Sequence, residues 1–508
     1  MTFRDRLLAT PLLVTLSALS GVAMFVPAAH ATLTRLHEAA QVFLYSGLLV
    51  LIVTGMVWIA TSTWRPRNVA RSQLASLVGA YALMPVIFAL PVAQAVPDTS
   101  FVNAWFEMVA SFTTTGATLY DTPGRLAPSL HLWRATVGWL GGLFILVTAT
   151  AILAPMNLGG VEVMSGRAPG RGGNGLAQIT RVADPSQRFL RFTLMLFPIY
   201  GGLTLLLWLM LMIAGEVNLL ALIHAMGTLS TSGIGMTGDL GRLSTGLWGE
   251  LLIVLFLTLA ITRRFMPGTQ FALMQGPWHR DPEVRLAVSL IGATTAVLFF
   301  RHFIGAIEVE ATDDAVSAFR ALWGTFFMAV SFLTTTGYAS AEWAAARSWS
   351  GLASPGLVLL GLAMIGGGVA TTAGGVKLLR VYALFRHGER ELEKLIHPSS
   401  VGGQGPQARR MRREGAYFAW LFFMLFALSI AVSTAALSLM GLVFEDALVL
   451  TLAALSTTGQ LADLAGAVPI RYADLAIPAK VFLAVAMVVG RLETLALLAL
   501  LAPSSWQR

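Results

Sequence analysis

The chain has 508 residues, of which 56% are hydrophobic and only 12% are charged. This leaves too little polar surface for a soluble protein of this size, so the composition indicates a membrane protein with several spanning helices. Because the sequence contains no cysteine, disulfides, thiolate metal sites and cysteine nucleophiles are excluded. The net charge of +8 does not indicate a nucleic-acid partner, since the basic residues are concentrated in alternate loops.

Hydropathy predicts about ten spans, so that both chain ends lie on the same side of the membrane. Their approximate ranges are 7–28, 40–62, 75–96, 132–155, 189–214, 246–266, 286–306, 354–376, 416–440 and 478–501. The first apolar run ends in Ala29-His30-Ala31, which is typical of a signal-peptidase site. We expect a retained span instead, because about 20 apolar residues suffice to cross a bilayer. The excess of arginine and lysine in alternate loops predicts cytoplasmic termini.

A short polar turn that ends in glycine interrupts the apolar sequence four times. The turns are SFTTTG (turn 1, residues 111–116), TLSTSG (turn 2, 228–233), FLTTTG (turn 3, 332–337) and ALSTTG (turn 4, 454–459). Each follows a stretch of mostly apolar residues, such as 103–111 or 322–331, which is too short to cross a membrane and predicts a re-entrant half-helix. The repeated unit is therefore a span, a half-helix, a polar turn and a second span.

All four units run in the same direction, which favours a ring around a central axis. The predicted fold is an all-α membrane protein with four pseudo-repeats around an ion pore. The predicted divisions are an N-terminal helix pair (1–70) and pore repeats 1 to 4 (71–160, 161–270, 271–395 and 396–508). A ring of hydroxyls and exposed carbonyls can replace the hydration shell of a monovalent cation. Alternatively, such turns could merely break or pack helices, but four copies at matching positions disfavour that interpretation.

These turns, LWRATVGWLGG (132–142), MIGGGVATTAGGVKLLR (364–380) and MVVGRLETLALL (487–498) resemble the Trk/Ktr/HKT superfamily of cation transporters. The extra helix pair makes the chain most similar to the TrkH branch. The resemblance implies a potassium filter formed by the backbone carbonyls of Thr114, Thr115, Gly116, Thr231, Ser232, Gly233, Thr335, Thr336, Gly337, Thr457, Thr458 and Gly459. By the same resemblance, glycine at all four turn ends implies a preference for K⁺ over Na⁺. Turn 4, which continues into Gln460, departs from the usual TrkH pattern.

The glycine-rich loop (residues 366–375) cannot form a stable uninterrupted helix, although it could serve as a flexible kink or a close helix contact. The resemblance implies that it gates the pore through Gly366, Gly367, Gly368, Thr371, Thr372, Gly374 and Gly375, with Arg491 as an electrostatic barrier. Arg491 could instead pair with Glu493 in its apolar span. Lys377 either belongs to this gate or marks the cytoplasmic end of its span.

A carboxylate follows each turn within a few residues, and an arginine follows each carboxylate. The carboxylates are Asp121, Asp239, Glu342 and Asp463, and the arginines are Arg125, Arg242, Arg347 and Arg471. We hypothesise that the carboxylates enrich cations at the outer mouth of the pore. The alternative is that each carboxylate forms a surface ion pair with the arginine that follows it.

The sequence thus predicts potassium uptake across a bacterial inner membrane, without an enzymatic activity and with K⁺ as substrate rather than a bound cofactor. The resemblance further implies a homodimer and a cytosolic nucleotide-binding regulatory subunit of the TrkA type. A sodium-conducting or ion-coupled symporter of the same fold is the first alternative. A polytopic membrane enzyme is the second, disfavoured because no acid/base constellation recurs near the membrane surface.

Overall fold

The computed structural model describes residues 10–61, 69–120, 122–156, 158, 160, 185–236, 240, 244–265, 277–305, 315–352, 354–397, 413–466 and 468–492. The described residues are predominantly helical. The helices are α1 (Leu12–Ala23), α2 (Phe25–Leu33), α3 (His37–Thr61), α4 (Val69–Ala95), α5 (Phe101–Phe112), α6 (Pro128–Thr148), α7 (Pro185–Ile213), α8 (Asn218–Leu229), α9 (Leu247–Ile261), α10 (Pro282–Gly305), α11 (Ala315–Leu333), α12 (Trp343–Ser350), α13 (Gly356–Ile365), α14 (Leu378–Ile396), α15 (Arg413–Leu439), α16 (Phe444–Leu455), α17 (Leu461–Leu464) and α18 (Ile477–Leu492).

Among these residues, eight helical segments are long and apolar enough to cross a membrane. Two of the ten expected spans contain shorter apolar helices, α9 and α13. The span expected at 354–376 is interrupted because α13 ends at Gly366, whose φ of +74° is incompatible with a right-handed helix. The half-helix expected at 322–331 is longer than predicted, since α11 begins at Ala315. The predicted chain ends and the basic segment 161–184 lie outside the described residues.

The N-terminal helices form a layer outside the repeats. Helices α1 and α2 follow one another almost without a break and fold back on α3, where Gly21 lies against Leu51 and the backbone of Gly47. Helix α3 in turn packs against the first repeat. The rings of Phe43 and Trp133 meet edge-on there, with 5.8 Å between their centroids. The helix pair is therefore joined to the pore repeats by apolar packing.

The four half-helices end inside the protein, and the second spans of the first and fourth units pack closely against such ends. In α6, Gly141 adjoins the carbonyl of Phe112 at the end of α5, while Gly142 adjoins Ser230 after α8. In α18, Gly490 adjoins the carbonyl of Leu455 at the end of α16. A side chain at these positions would separate the spans from the turns, which explains the glycines within LWRATVGWLGG and MVVGRLETLALL.

Replacing Gly141 with alanine is expected to lower the thermal unfolding midpoint, because the new Cβ would overlap the Phe112 carbonyl. Overpacking of this kind typically costs about 1–3 kcal/mol. The matched control is Gly202→Ala in α7, since a Cβ there meets no atom within 4 Å. That control should be neutral or slightly stabilising, because alanine is the better helix former by about 1 kcal/mol. Thermal unfolding of both variants is followed by tryptophan fluorescence in detergent. Equal shifts of the two unfolding midpoints would contradict the packing argument.

Candidate functional site: the four-turn ring

The four turns begin in the same way at the end of each half-helix. The first hydroxyl residue after each helix donates its side-chain hydrogen bond to the carbonyl four residues earlier. These donors are Thr113, Ser230, Thr334 and Ser456, at 2.7, 2.8, 2.9 and 2.6 Å. The hydroxyl therefore closes the last helical turn in the same way in all four repeats.

The next residue in every turn is a threonine in the left-handed region of backbone space. These residues are Thr114, Thr231, Thr335 and Thr457, with φ of 56°, 51°, 56° and 57°. A β-branched residue rarely adopts this conformation, which stores of order 1–3 kcal/mol and persists only where the surroundings enforce it. The same distortion at four equivalent positions indicates that one structural constraint is repeated around the molecule.

The turns contact one another in chain order and close a ring. A Cβ on Gly116 would overlap the carbonyl of Ser232, and one on Gly233 would overlap the carbonyl of Thr336. Gly337 adjoins the side chain of Gln460, and the backbone N–H of Gly459 donates to the carbonyl of Thr115 at 2.6 Å. Turn 1 thus touches turn 2, turn 2 touches turn 3, turn 3 touches turn 4, and turn 4 touches turn 1.

The structure brings together and buries all twelve residues that the sequence predicted for the filter. In turns 1, 2 and 3, the hydroxyl of the residue that follows the half-helix contacts the hydroxyl two positions further along the chain. These pairs are Thr113 with Thr115, Ser230 with Ser232, and Thr334 with Thr336, at 2.8, 2.9 and 3.0 Å. Because these hydroxyls bond to neighbouring oxygens within the turn, they brace the backbone.

Turn 4 departs from this arrangement, as its unusual sequence led us to expect. Gly116, Gly233 and Gly337 have positive φ, whereas Gly459 does not. The carbonyl of Gly459 accepts a hydrogen bond from the hydroxyl of Tyr472 at 2.9 Å. The fourth turn therefore has the helix end and the strained threonine of the others, but a different orientation at its glycine.

Two buried carboxylates that the sequence analysis did not identify hold the segments that follow the turns. Glu107 in α5 accepts from the backbone N–H of Leu119 at 2.9 Å and pairs with Arg134 in α6 at 2.6 Å. Glu250 in α9 accepts from the hydroxyl of Ser340 and from the N–H of Ala341 at 2.6 Å. A carboxylate within an apolar helix was the sequence signal for both.

The glycine-rich loop lies beneath turn 3 and contacts it directly. The N–H of Gly374 donates to the hydroxyl of Thr335 at 2.7 Å, while the N–H of Gly368 donates to the carbonyl of Ala260 in α9 at 2.9 Å. Thr371 also donates to Ala260, at 3.1 Å. The loop is therefore hydrogen-bonded to both turn 3 and the second repeat.

Three buried cations each bind a different carbonyl of this loop. Arg263 donates to the carbonyl of Ala370 at 2.5 Å, Arg491 donates to that of Thr372 at 2.6 Å, and Lys377 donates to that of Ala373. The predicted contact of Arg491 with the loop is present, whereas Glu493 lies outside the described residues. Lys377 is only 7% exposed and contacts the loop instead of a membrane surface.

Arg263 and a carboxylate facing the same loop were missed by the sequence analysis. Arg263 is fully buried just after the end of α9. Glu283 in α10 accepts from the N–H of Val369 at 2.8 Å. Both contacts join residues about 90 to 110 positions apart, so no local pattern could reveal them.

The structure describes only two of the four carboxylates in the outer-mouth hypothesis. Asp121 and Asp239 lie outside the described residues, and Asp463 is exposed on α17. Glu342 lies 4.0 Å from Arg320, and Arg125 pairs at 2.7 Å with Asp98. Both partners differ from the expected ones, and the role of the carboxylates stays a prediction. Within the described segments, no group of three or more histidine, aspartate or glutamate side chains is placed to hold a metal ion.

Replacing Glu107 with glutamine is expected to destabilise the protein by about 3–5 kcal/mol, because it leaves Arg134 buried without its counter-charge. The matched control is Asp98→Asn, which removes the carboxylate of the exposed Asp98–Arg125 pair in the same repeat. Exposed ion pairs contribute about 0–1 kcal/mol to stability, so this control should have the same unfolding midpoint as the wild type. Thermal unfolding of both variants in detergent is the measurement, and equal shifts would contradict the assignment of Glu107 as the brace.

Comparison with known proteins gives a family. The sequence model of the TrkH family, described as a cation transport protein, matches residues 39–508. The "Trk system potassium uptake protein TrkI" of Halomonas elongata is 30% identical over 482 residues, covering 92% of this chain and 91% of the relative. The TrkH protein of Escherichia coli K12 is 28% identical over 494 residues, covering 95% and 96%.

The fold agrees with this assignment. The crystal structure of the potassium transporter TrkH from Vibrio parahaemolyticus aligns with all of this chain and all of that one, with a TM-score of 0.79 and 25% sequence identity. The all-helical membrane fold with its N-terminal helix pair therefore has a direct structural counterpart. With a family match that spans residues 39–508 and relatives aligned over nearly their whole length, this chain belongs to the TrkH family of cation transport proteins.

Proposed function

We propose that this chain is the potassium-translocating membrane subunit of a Trk-type uptake system, with the four-turn ring as its selectivity filter. The curated relatives are named as potassium uptake proteins, which supports K⁺ as the substrate. A negative cell interior drives cation entry by about 2.3 kcal/mol per charge per 100 mV, so the chain itself needs no bound fuel.

One observation carries the proposal of a filter. Backbone carbonyls from different repeats converge on one point, since those of Gly116, Ser232 and Gly233 all lie within 3.1–3.4 Å of a single amide nitrogen. Carbonyl dipoles arranged in this way replace the hydration shell of a monovalent cation. The half-helices add to this effect, because each directs its negative C-terminal end toward the turns.

The proposed ligands are the backbone carbonyls of the twelve turn residues. Glycine at the end of every turn permits the close approach of neighbouring turns, as the contacts of Gly116 and Gly233 with the next carbonyl illustrate. By the family resemblance described above, glycine at these four positions favours K⁺ over Na⁺. We assign the residue divisions 1–70, 71–160, 161–270, 271–395 and 396–508 to the helix pair and the four pore repeats.

The glycine-rich loop is the proposed gate. It contains Gly366, Gly367, Gly368, Thr371, Thr372, Gly374 and Gly375. Arg263, Arg491 and Lys377 place positive charge directly on its carbonyls, beneath the ring. Positive charge in a narrow low-dielectric passage opposes a cation strongly, so conduction requires the loop and these cations to move together.

The proposed setting is a bacterial inner membrane, with both termini cytoplasmic. A homodimer and a cytosolic nucleotide-binding regulatory subunit follow from the family. The exposed charged residues of α14, which include the Arg386–Glu389 and Lys394–Glu391 ion pairs, offer a polar inner surface for such a subunit. We retain Asp121, Asp239, Glu342 and Asp463 as proposed cation-attracting groups at the outer mouth.

A sodium-conducting channel or an ion-coupled symporter of the same fold is the alternative function. Purified protein in liposomes, with ion currents measured in K⁺ and then in Na⁺, separates these proposals. Potassium currents well above sodium currents, unchanged by a proton gradient, are expected. Sodium currents equal to potassium currents, or flux that depends on a second ion, would instead favour the alternative.

Replacing Gly116 with alanine is expected to reduce K⁺ flux at least about tenfold, since its φ of +70° is strained for alanine and the new Cβ overlaps the Ser232 carbonyl. The matched control is Gly351→Ala, because Gly351 has a φ of +61° but no atom near its Cβ position. Liposome flux assays measure both. A similar loss in the control would show that backbone strain in general, not the filter, limits transport.

Replacing Arg491 with methionine is expected to increase K⁺ flux in the absence of any regulatory subunit, because it removes a buried positive charge from the glycine-rich loop. Lys394→Met is the control, since Lys394 is exposed on α14 and pairs with Glu391. Single-channel recording gives open probability and conductance separately. Unchanged currents in Arg491→Met, with a normal melting profile, would remove Arg491 from the gate.

A further inference from the structure

At Gly459 and Gln460, the fourth repeat contributes hydrogen-bond donors to the ring. The N–H of Gly459 donates to the carbonyl of Thr115, and its own carbonyl is bonded to the hydroxyl of Tyr472. The residue that follows, Gln460, extends its side chain toward turns 1 and 2. Turn 4 is therefore chemically unlike the others even though its half-helix ends in the same way.

The side-chain amide of Gln460 lies at the point where the ring carbonyls converge. Its nitrogen donates to the carbonyls of Gly116, Ser232 and Gly233 at 3.4, 3.2 and 3.1 Å. Its oxygen lies beside Gly337. One side chain thus reaches all three other turns, and Gln460 is only 9% exposed.

The amide oxygen of Gln460 distinguishes this arrangement from a simple structural clamp. It is buried and has no hydrogen-bond partner. Buried polar atoms are normally paired, and a glutamine that served only to join turns would be expected to satisfy both ends. Only the nitrogen end, which carries the positive partial charge, is fully engaged.

We propose that the Gln460 side chain competes with the transported cation for one site in the ring and so sets the potassium concentration at which the filter fills. This inference rests on the proposed function, because it takes the converging carbonyls to be the cation's ligands. An amide NH₂ satisfies the same carbonyl dipoles that a dehydrated cation would satisfy. An incoming ion must break these hydrogen bonds before it binds, so Gln460 lowers the apparent affinity for the ion.

The test is Gln460→Met in the full chain, because methionine has nearly the same length but no donor. The half-saturating K⁺ concentration, measured from currents in planar bilayers over a range of K⁺, is expected to fall about threefold to tenfold, as the loss of competing hydrogen bonds implies. The matched control is Gln94→Met, since Gln94 is exposed near the end of α4. An unchanged or increased half-saturating concentration in Gln460→Met would overturn the proposal.

A second variant, Gln460→Glu, keeps the size but replaces the donor with a negatively charged acceptor. Block of the K⁺ current by Ba²⁺ is expected to strengthen at least about tenfold, because the competitor becomes a ligand for cations. Unchanged Ba²⁺ block would overturn the proposal by itself, and this variant decides the question if Gln460→Met fails to assemble. Wild-type protein without K⁺ flux would overturn the proposed function, whereas normal wild-type flux with unaltered Gln460 variants would overturn only this inference.

Discussion

The structure depends on one constraint. Four helices end inside a membrane-spanning protein, so the carbonyl groups at their ends need partners away from the solvent-exposed surface. A membrane interior tolerates irregular backbone only where the protein or a pore satisfies it. Here the first hydroxyl after each half-helix bonds back to that helix, and the following threonine is forced into the left-handed region. The carbonyls of Thr115, Ser232 and Thr336 contact neighbouring turns. The glycines of α6 and α18 contribute to the same constraint, because they allow these spans to pack directly against the ends of the half-helices.

The same physical argument extends to the glycine-rich loop. Its irregular backbone lies within the protein, and its carbonyls are satisfied by cations from three different elements, represented by Arg263, Lys377 and Arg491. Opposite them, Glu283 accepts from the loop N–H of Val369. The loop is therefore held by charged contacts on both its donors and its acceptors, and this allows a large movement only if several of them change together.

The sequence predicted those features that repeat or that break a local pattern. The four turns, their half-helices and the loop at 366–375 were visible because hydroxyls and glycines interrupt apolar sequence, and the structure places each where it was expected. The end of α13 at Ile365 agrees with the break predicted at 366, whereas the early start of α11 was not predicted, since helix length depends on what surrounds the segment. The bonds of Arg263 and Gln460 were missed because they join positions 107 and up to 344 residues apart. Such contacts depend on the ring geometry, which no local periodicity encodes.

The ring contacts in chain order also have a consequence for biosynthesis. Turn 1 is translated early, yet its Thr115 carbonyl is bonded by Gly459, near the C-terminal end of the chain. Until the final repeat is inserted, the first three turns form an open arc whose inner oxygens lack this partner. A ribosome-bound or truncated chain therefore cannot form the complete oxygen ring. Closure of the ring therefore requires the fourth repeat, which is synthesised after the other three.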